Sequence, residues 1–220
     1  MNTVPVIAID GPSASGKGTV AQLVAEALDF HYLDSGSIYR LVALAAMRSG
    51  VSLDDEARLA ALAAALDASF KSGEVWLAGE VVTEAIRDEA CSNGASRVAA
   101  WPSVRSALLA RQRAFRSPPG LVADGRDMGS VVFPDSRLKV FLTATAEARA
   151  ERRYKQLKGK GIAATISTLL KDLRERDARD AARSAAPLKQ CPDAHLLDTT
   201  AMSAADAAEF ILARYRGANW

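Results

Sequence analysis

A glycine-rich loop near the N-terminus constrains this chain more than any other feature. From Gly11 to Thr19 the sequence is G-P-S-A-S-G-K-G-T, which matches the pattern G-x-x-x-x-G-K. The loop follows residues 4–10, a short apolar run rich in β-branched residues that is typical of a buried strand. From Lys17 onward the apolar residues recur at helical spacing. A strand, a glycine loop and a helix in this order predict a phosphate-binding loop.

The chemistry of phosphate binding explains these residue types. Because Gly11 and Gly16 lack a Cβ atom, the backbone can turn tightly and direct N–H groups at phosphate oxygens beside a helix N-terminus. Lys17 then meets the outer phosphates as a positive charge. An ordinary glycine-rich turn with an exposed lysine is the alternative. We predict that nine residues bind a nucleoside triphosphate: Gly11, Pro12, Ser13, Ala14, Ser15, Gly16, Lys17, Gly18 and Thr19.

The composition is that of an ordinary globular protein. The chain has 220 residues, of which 49% are hydrophobic and 25% charged, enough for one domain with a sizeable core. No apolar run reaches the roughly 18 residues of a membrane span, and the N-terminal residues lack a signal-peptide pattern. Cys91 and Cys191 are far apart and form no metal-binding spacing. We therefore expect a cytoplasmic protein that does not act at a membrane.

Positive charge is concentrated in one segment. Residues 149–183 contain 11 Lys and Arg against 5 Asp and Glu, although the whole chain has a net charge of only +2. Such a segment is typical of a place where a polyanion is bound. A solvated helix with ion pairs such as Asp180–Arg183 is the alternative interpretation. The small net charge argues against general nucleic-acid binding.

Strand and helix patterns alternate along most of the remaining chain. The sequence predicts strands at 30–33, 121–123, 138–142 and 195–198, and helices at 37–49, 54–66, 102–115, 146–157, 166–183 and 203–215, with Asp54 capping the second of these helices. Short strand-like pieces at 68–82, separated at Ser72-Gly73 and Ala78-Gly79, predict an antiparallel meander. The pattern predicts an α/β P-loop fold in three layers, with a central parallel five-stranded sheet.

Long stretches beyond the loop resemble the bacterial cytidylate kinases, a family of P-loop nucleoside monophosphate kinases. These stretches are LDSGSIYR (33–40), NGASRVAAWPSVRSALLARQRAF (93–115), GLVADGRDMGSVVFPD (120–135), RAERR (149–153) and ERDARDAARSAAPL (175–188). The resemblance implies ATP as phosphoryl donor, Mg²⁺, and CMP or dCMP as acceptor. It also implies a monomer, a P-loop core at 1–66 and 101–220, a monophosphate-binding insertion at 67–100 and a helical lid at 150–178.

The resemblance further implies roles for individual residues. Catalytic roles fall to Lys17, Arg126, Arg152, Arg153 and Arg176. Acceptor binding falls to Ser35, Tyr39, Arg40, Ser96, Arg105, Arg126, Asp127, Arg176, Asp180 and Arg183. Among these, Asp127 suits cytosine, because a carboxylate accepts from the exocyclic amine where uracil presents an oxygen.

Several assignments have alternatives when the residues are taken alone. Ser96, Arg105 and Asp127 each fit a surface or structural residue as well as a contact of the base. Arg40 fits a surface arginine as well as a phosphate ligand. Asp124 fits either the orientation of Mg²⁺, together with Thr19, or the capping of a turn. Two other functions also stay open at this point. One is a kinase for another small acceptor such as UMP or AMP, and the other is an NTP-hydrolysing switch or RNA-binding P-loop protein.

Overall fold

The computed structural model describes residues 4–71 and 73–217, which form two compact units. The first unit contains the described residues up to Asp34 and those from Arg113 onward, and the second is Ser35–Gln112. Two predictions fall partly outside the described residues. They are the absence of a signal peptide, which includes residues 1–3, and the turn at Ser72.

Strands and helices alternate along much of the chain. The strands are β1 (Val6–Asp10), β2 (His31–Asp34), β3 (Ala68–Lys71), β4 (Glu74–Leu77), β5 (Glu80–Val81), β6 (Leu121–Gly125), β7 (Leu138–Thr143) and β8 (His195–Asp198). The helices are α1 (Lys17–Leu28), α2 (Ser35–Arg48), α3 (Glu56–Ala64), α4 (Glu89–Val98), α5 (Pro102–Arg113), α6 (Ala146–Gly159), α7 (Ile166–Ala182) and α8 (Ala204–Gly217). A 3-10 turn at Ala85–Arg87 and a π-helical turn at Met128–Val132 complete this set.

The sheet of the first unit is parallel throughout, with strand order β2-β6-β1-β7-β8. Every residue of β1 and β6 is buried, as expected for parallel strands covered on both faces. This topology confirms the predicted α/β P-loop fold with a central five-stranded parallel sheet. Because the strands are parallel and adjacent, the segments that follow β1 and β6 lie at the same edge of the sheet.

Apolar packing holds the helices of the first unit in place. Helices α1 and α8 pack with the sheet in one cluster that includes Val20, Val24, Val140 and Ile211. Helices α6 and α7 share a smaller cluster formed by Ala150, Leu157, Leu169 and Leu173. Burial of such side chains contributes about 25 cal/mol for each Å² of apolar surface removed from water. The larger cluster therefore fixes the strands that position the phosphate loop.

The second unit contains an antiparallel three-stranded sheet, β3-β4-β5, which confirms the predicted meander. Helix α4 was not predicted. Its sequence, EACSNGASRV, has few large apolar residues, yet it buries small side chains against α2. A Cβ atom on Gly94 would lie 3.1 Å from the Cβ of Ala43, so glycine allows this close approach. Helical periodicity of large apolar residues could not reveal a helix that packs through small ones.

Most predicted boundaries differ from the structure by one or two residues, and three of the differences have a clear physical reason or a clear endpoint. Helix α3 is capped by Asp55, whose carboxylate accepts a hydrogen bond from the Arg58 N–H at 3.0 Å, and not by Asp54. Asp54 instead pairs with Arg97 at 2.8 Å. Strand β6 continues to Gly125, because its pairing with β1 extends that far. Helix α5 ends at Arg113.

Within the described residues, every helix is too short or too polar to cross a lipid bilayer.

The capping of α3 can be tested with two neighbouring aspartates. We expect Asp55→Ala to lower the free energy of unfolding by about 1 kcal/mol, because the N–H of Arg58 loses its acceptor. The matched control Asp54→Ala removes an exposed ion pair and should cost less than about 0.5 kcal/mol. Urea unfolding of both variants measures the difference, and equal losses would contradict the role of Asp55.

Candidate active site

The phosphate loop forms the turn from β1 into α1, and its two glycines have separate steric reasons. Gly11 has φ of 149°, and a Cβ atom there would lie 1.9 Å from the carbonyl oxygen of Leu142 on β7. Gly16 has φ of 94° and directly precedes the first residue of α1. Glycine adopts this left-handed backbone at little cost. Gly11 is therefore required where the loop packs against β7, and Gly16 is required where the backbone turns into α1.

Lys17 lies buried against its own loop. The carbonyl oxygen of Pro12 accepts hydrogen bonds from Lys17 Nζ at 2.8 Å and from Ser15 Oγ at 2.9 Å. Lys17 Nζ also lies 3.8 Å from Asp124 Oδ1. Burial, together with the nearby charge of Arg126, lowers the pKa of Lys17 from 10.5 to about 7. A bound phosphate would favour the charged form of this lysine, since an adjacent anion raises the pKa of an amine.

The donors of the loop fit a triphosphate. The hydroxyl of Ser13 is buried and, within the described part of the chain, has no hydrogen-bond partner. Leaving such a group unpaired costs about 1–3 kcal/mol, and a phosphate oxygen would supply the acceptor. This hydroxyl, the Lys17 ammonium and the N–H groups ahead of α1 form the donor set that a polyphosphate requires.

Two arginines of α6 hold the loop through its carbonyl groups. Arg149 Nη1 donates to the carbonyl oxygen of Ser13 at 3.2 Å, and Arg152 Nη1 donates to that of Ser15 at 3.0 Å. Arg152 Nη2 also donates to the backbone carbonyl of Thr199, and the hydroxyl of Thr199 donates to Ser15. Arg152, which the resemblance singled out, thus contacts the phosphate loop. The sequence placed Arg149 in the basic segment without an individual role, and it gave no sign of Thr199.

Arg149 connects three segments of the first unit. Besides Ser13, its guanidinium donates to the carbonyl of Ala144 at 3.1 Å and pairs with Asp177 of α7 at 2.6 Å. Its side chain is only 5% exposed. In the sequence, Arg149 is one of several arginines in a basic helix. The sequence does not show which of these arginines is buried. Arg153 differs from Arg149 in its partner. Its guanidinium donates to the side-chain oxygen of Gln156, one turn along the same helix.

A second group of predicted residues forms a buried ion cluster. Asp180 pairs with Arg126 at 3.0 Å and with Arg183 at 3.6 Å. Burial opposes the charge of Asp180, but the three arginines Arg126, Arg183 and Arg176 outweigh it and lower the pKa of the carboxyl. Burial likewise opposes the charge of Arg126, yet Asp180 raises its pKa. Three guanidinium groups around one carboxylate leave an excess of positive charge that suits a phosphate dianion.

Asp124 lies beside Lys17 and inside β6, where it pairs in register with Ile9 of β1. This position places the carboxylate of Asp124 within reach of Lys17, as expected for a residue near the bound phosphates. Within the described residues, no group of three or more His, Cys, Asp or Glu side chains could hold a metal ion. Mg²⁺ in nucleotide enzymes uses one or two carboxylates plus substrate phosphates, and Asp124 fits that donor set. Thr19 is exposed on the first turn of α1.

Asp10 is a buried acidic residue that sequence reasoning treated only as the end of a strand. Its two carboxylate oxygens accept hydrogen bonds from the N–H groups of Met128 and Gly129, each at 2.8 Å. Burial raises the pKa of Asp10 from 3.8 to about 7, although these two hydrogen bonds oppose the shift. The available signal was an acidic residue completing an otherwise apolar, fully buried strand.

Two predicted acceptor-binding residues lie together within the second unit. The guanidinium carbon of Arg105 lies 5.5 Å from the ring centroid of Tyr39, a favourable cation–π distance. Arg105 also donates to the carbonyl oxygen of Ala99 at 3.2 Å. Both side chains are therefore held by packing within their own unit.

The other predicted residues of this unit lie on helices α2 and α4. These are Ser35, Arg40 and Ser96, of which the two serines are buried. The backbone carbonyl of Arg40 accepts a hydrogen bond from the thiol of Cys91 at 3.2 Å, which ties the two helices together.

Comparison with known proteins connects this geometry to a family. The family model described as cytidylate kinase matches residues 7–217. The chain belongs to the cytidylate kinase family. The cytidylate kinase of Chromobacterium violaceum is 61% identical over 210 residues, covering 96% of this chain and 95% of that protein. The cytidylate kinase of Polynucleobacter asymbioticus is 57% identical over 218 residues, covering 99% of each chain. These comparisons confirm the resemblance found in the sequence.

Solved structures give a weaker match. A gluconokinase from Sinorhizobium meliloti has a TM-score of 0.47 at 16% identity, with both chains covered completely.

Two ion pairs that join α6 to α7 provide a matched test of how this cytidylate kinase family member holds its phosphate loop. We expect Arg149→Met to lower the free energy of unfolding by about 2–3 kcal/mol, because Asp177 and two carbonyl groups lose a buried partner. Arg174 pairs with Glu147 at 2.9 Å between the same helices, but 62% of its side chain is exposed. Arg174→Met should cost less than about 1 kcal/mol. Denaturant unfolding compares the variants, and similar losses would contradict a special role for Arg149.

The raised pKa of Asp10 predicts how stability depends on pH. A carboxyl group whose pKa rises from 3.8 to about 7 on folding binds its proton more tightly in the folded state. Protonation of Asp10 therefore stabilises the folded state fully below pH 3.8, its pKa in the unfolded chain. This stabilisation is lost as the pH rises to about 7, its pKa in the folded state. Relative to Asp10→Asn, which does not titrate, the wild type should lose on the order of 4 kcal/mol across this interval. Urea unfolding at several pH values checks this, and a difference that stays constant with pH would contradict it.

Proposed function

We propose that this protein transfers the γ-phosphoryl group of ATP to CMP and dCMP, giving ADP and CDP or dCDP. The observation that carries the proposal is the buried Lys17–Asp124 pair at the phosphate loop, in a chain whose family match covers residues 7–217. The transfer is direct and in line, without a phosphorylated enzyme intermediate. Catalysis then rests on positioning and on neutralising the charge of the transferring group.

The donor nucleotide is proposed to bind through the loop from Gly11 to Thr19. Lys17 contacts the outer phosphates, while the Ser13 hydroxyl and the N–H groups ahead of α1 donate to phosphate oxygens. Mg²⁺, when bound with the nucleotide near Asp124 and Thr19, would neutralise part of the phosphate charge. Arg152 holds the loop through Ser15, which keeps the donor end of the site in place.

The acceptor phosphate is proposed to bind Arg126 and Arg183 of the arginine cluster, while Arg176 and Asp180 of the same cluster contact the sugar. A phosphate monoester has a second pKa near 6, so the acceptor is largely a dianion at neutral pH and attacks without a general base. Arg126 and Arg176 stabilise the charge that spreads over the transferring group, with Arg183 on the acceptor nucleotide. Arg152 and Arg153 are proposed to add positive charge from α6. His31 and His195 have no role in this scheme.

Cytosine is proposed to be selected by Asp127. Asp127 is only 2% exposed. A base that gives its carboxylate no hydrogen-bond donor therefore binds with a large loss of free energy. The exocyclic amine of cytosine donates to the carboxylate, whereas uracil places an oxygen there. In the second unit, the proposed contacts with the acceptor nucleotide are those of Ser35, Tyr39, Arg40, Ser96 and Arg105.

Several broader features belong to the same proposal. Residues 67–100 act as the monophosphate-binding insertion, and residues 150–178 act as a helical lid that excludes water during transfer. The protein works in the cytoplasm as a monomer, and it binds neither nucleic acid nor membrane. Its partners are therefore the small nucleotides alone.

An acceptor panel tests this proposal. The protein is assayed with ATP and, in turn, CMP, dCMP, UMP and AMP, and the formation of each diphosphate is measured. We expect CMP and dCMP to be the best acceptors. Lys17→Ala should reduce kcat by at least about 100-fold, because a charge that stabilises the transition state is lost. Asp127→Ala should reduce the preference for CMP over UMP by about 100-fold, because the discriminating acceptor is lost.

The controls separate lost chemistry from lost folding. Thermal unfolding of each variant should show a single transition close to that of the wild type. If UMP or AMP proves the best acceptor of the wild type, the assignment of the base-selecting residues is wrong. ATP hydrolysis that does not depend on an added monophosphate would instead favour an NTP-hydrolysing protein.

A further inference from the structure

Asp10 holds the backbone that immediately follows two proposed substrate-binding residues. Its carboxylate accepts the N–H groups of Met128 and Gly129, and these are the first two residues of the π-helical turn after Arg126 and Asp127. Both hydrogen bonds are 2.8 Å long, and Asp10 is 6% exposed. One carboxylate therefore accepts the first two N–H groups of this turn.

The backbone of Asp127 is fixed from the other direction by the same turn. Its carbonyl oxygen accepts hydrogen bonds from the N–H groups of Val131 at 2.9 Å and Val132 at 3.2 Å. The space around the turn is also tight, since a Cβ atom on Gly129 would lie 3.1 Å from the side chain of Lys139 and 3.5 Å from Asp10 Oδ2. With its carbonyl and the two following N–H groups all bonded, the backbone of Asp127 is fixed, and with it the direction of the Cα–Cβ bond from which the carboxylate extends.

A carboxylate is better suited to this position than an amide of the same shape. The two N–H groups point at two separate oxygens, and an asparagine would place an NH₂ group against one of them. A carboxylate at this depth is also costly, since burial raises its pKa to about 7. The charged side chains that interact with it are those of Lys17, Arg126 and Asp127, and the neutral thiol of Cys191 also lies near it. The fold therefore retains an unfavourable buried acid where it organises this turn.

We propose that Asp10 is a positioning residue for acceptor selection, which fixes the orientation of Asp127 through the N–H groups of Met128 and Gly129. The inference rests on the proposed function of Asp127 in binding the acceptor base. Asp10 itself touches neither nucleotide in this scheme. It also precedes Gly11 of the phosphate loop, so the competing possibility is that it acts on ATP binding instead.

Steady-state kinetics of Asp10→Asn separate these two possibilities. Loss of one hydrogen bond to a charged group should raise the KM for CMP by about tenfold and reduce the preference for CMP over UMP by a similar factor. The KM for ATP should change clearly less than the KM for CMP, because the loop keeps its own bonds through Pro12 and Arg152 and loses only the more distant charge of Asp10 beside Lys17. The control Asp193→Asn removes an exposed aspartate that pairs with Lys139, and it should leave all three values unchanged. If Asp10→Asn does not fold, Asp10→Glu is used, since its longer side chain keeps the charge but displaces the turn.

A double-mutant cycle gives a result that a merely structural role would not produce. If Asp10 acts through Asp127, then Asp10→Asn should cause no further loss of preference for CMP over UMP in the Asp127→Ala background. Additive losses would overturn the proposal, as would a KM for ATP that rises as much as the KM for CMP. A uniform fall in kcat with unchanged KM values would overturn it as well. If the wild type does not phosphorylate CMP, the proposed function fails separately, and the same cycle is then scored on the monophosphate that the protein does accept.

Discussion

Charge buried at the carboxyl ends of parallel strands is the constraint on which the first unit depends. Lys17, Asp10 and Asp124 lie there with little solvent, next to the cluster of Arg126 and Asp180. Separating such groups from water is expensive unless each has a partner, and here the partners are one another and the backbone. Around Asp180, the three guanidinium groups of Arg126, Arg176 and Arg183 face one carboxylate, so this cluster carries an excess of positive charge. A polyphosphate is the class of ligand that such an excess stabilises.

Much of the fold could be predicted from the sequence because its signals were local. The loop between β1 and α1, the alternation of strands and helices and the meander each followed from spacing and residue type. Helix α4 escaped prediction because it packs through small residues around Gly94, which carry no periodic apolar signal. The cap at Asp55 could not be distinguished from Asp54, since two adjacent aspartates fit the same pattern.

The site was predicted less completely, because several of its residues act through buried contacts with distant segments of the chain. Loop residues stand out in a sequence because glycine and lysine occur in a fixed order. Arg149, Asp10 and Thr199 do not stand out, because their functions depend on carbonyl and N–H groups that come from distant segments of the chain. The roles assigned to Asp127 and the arginines came from the family resemblance, and they stay predictions until acceptor kinetics test them.

The order of strands has a consequence for how the chain folds as it is synthesised. The first strand lies at the centre of the sheet, and both of its neighbours come late in the sequence, beginning at Leu121 and Leu138. Contacts between such distant segments form slowly, because the entropy of closing a long loop is lost before the contacts contribute favourable free energy. The leading glycine of the motif also packs against Leu142. The strand that leads into the glycine loop is therefore synthesised before both of its partners, and its apolar side chains stay uncovered until the later strands pair with it.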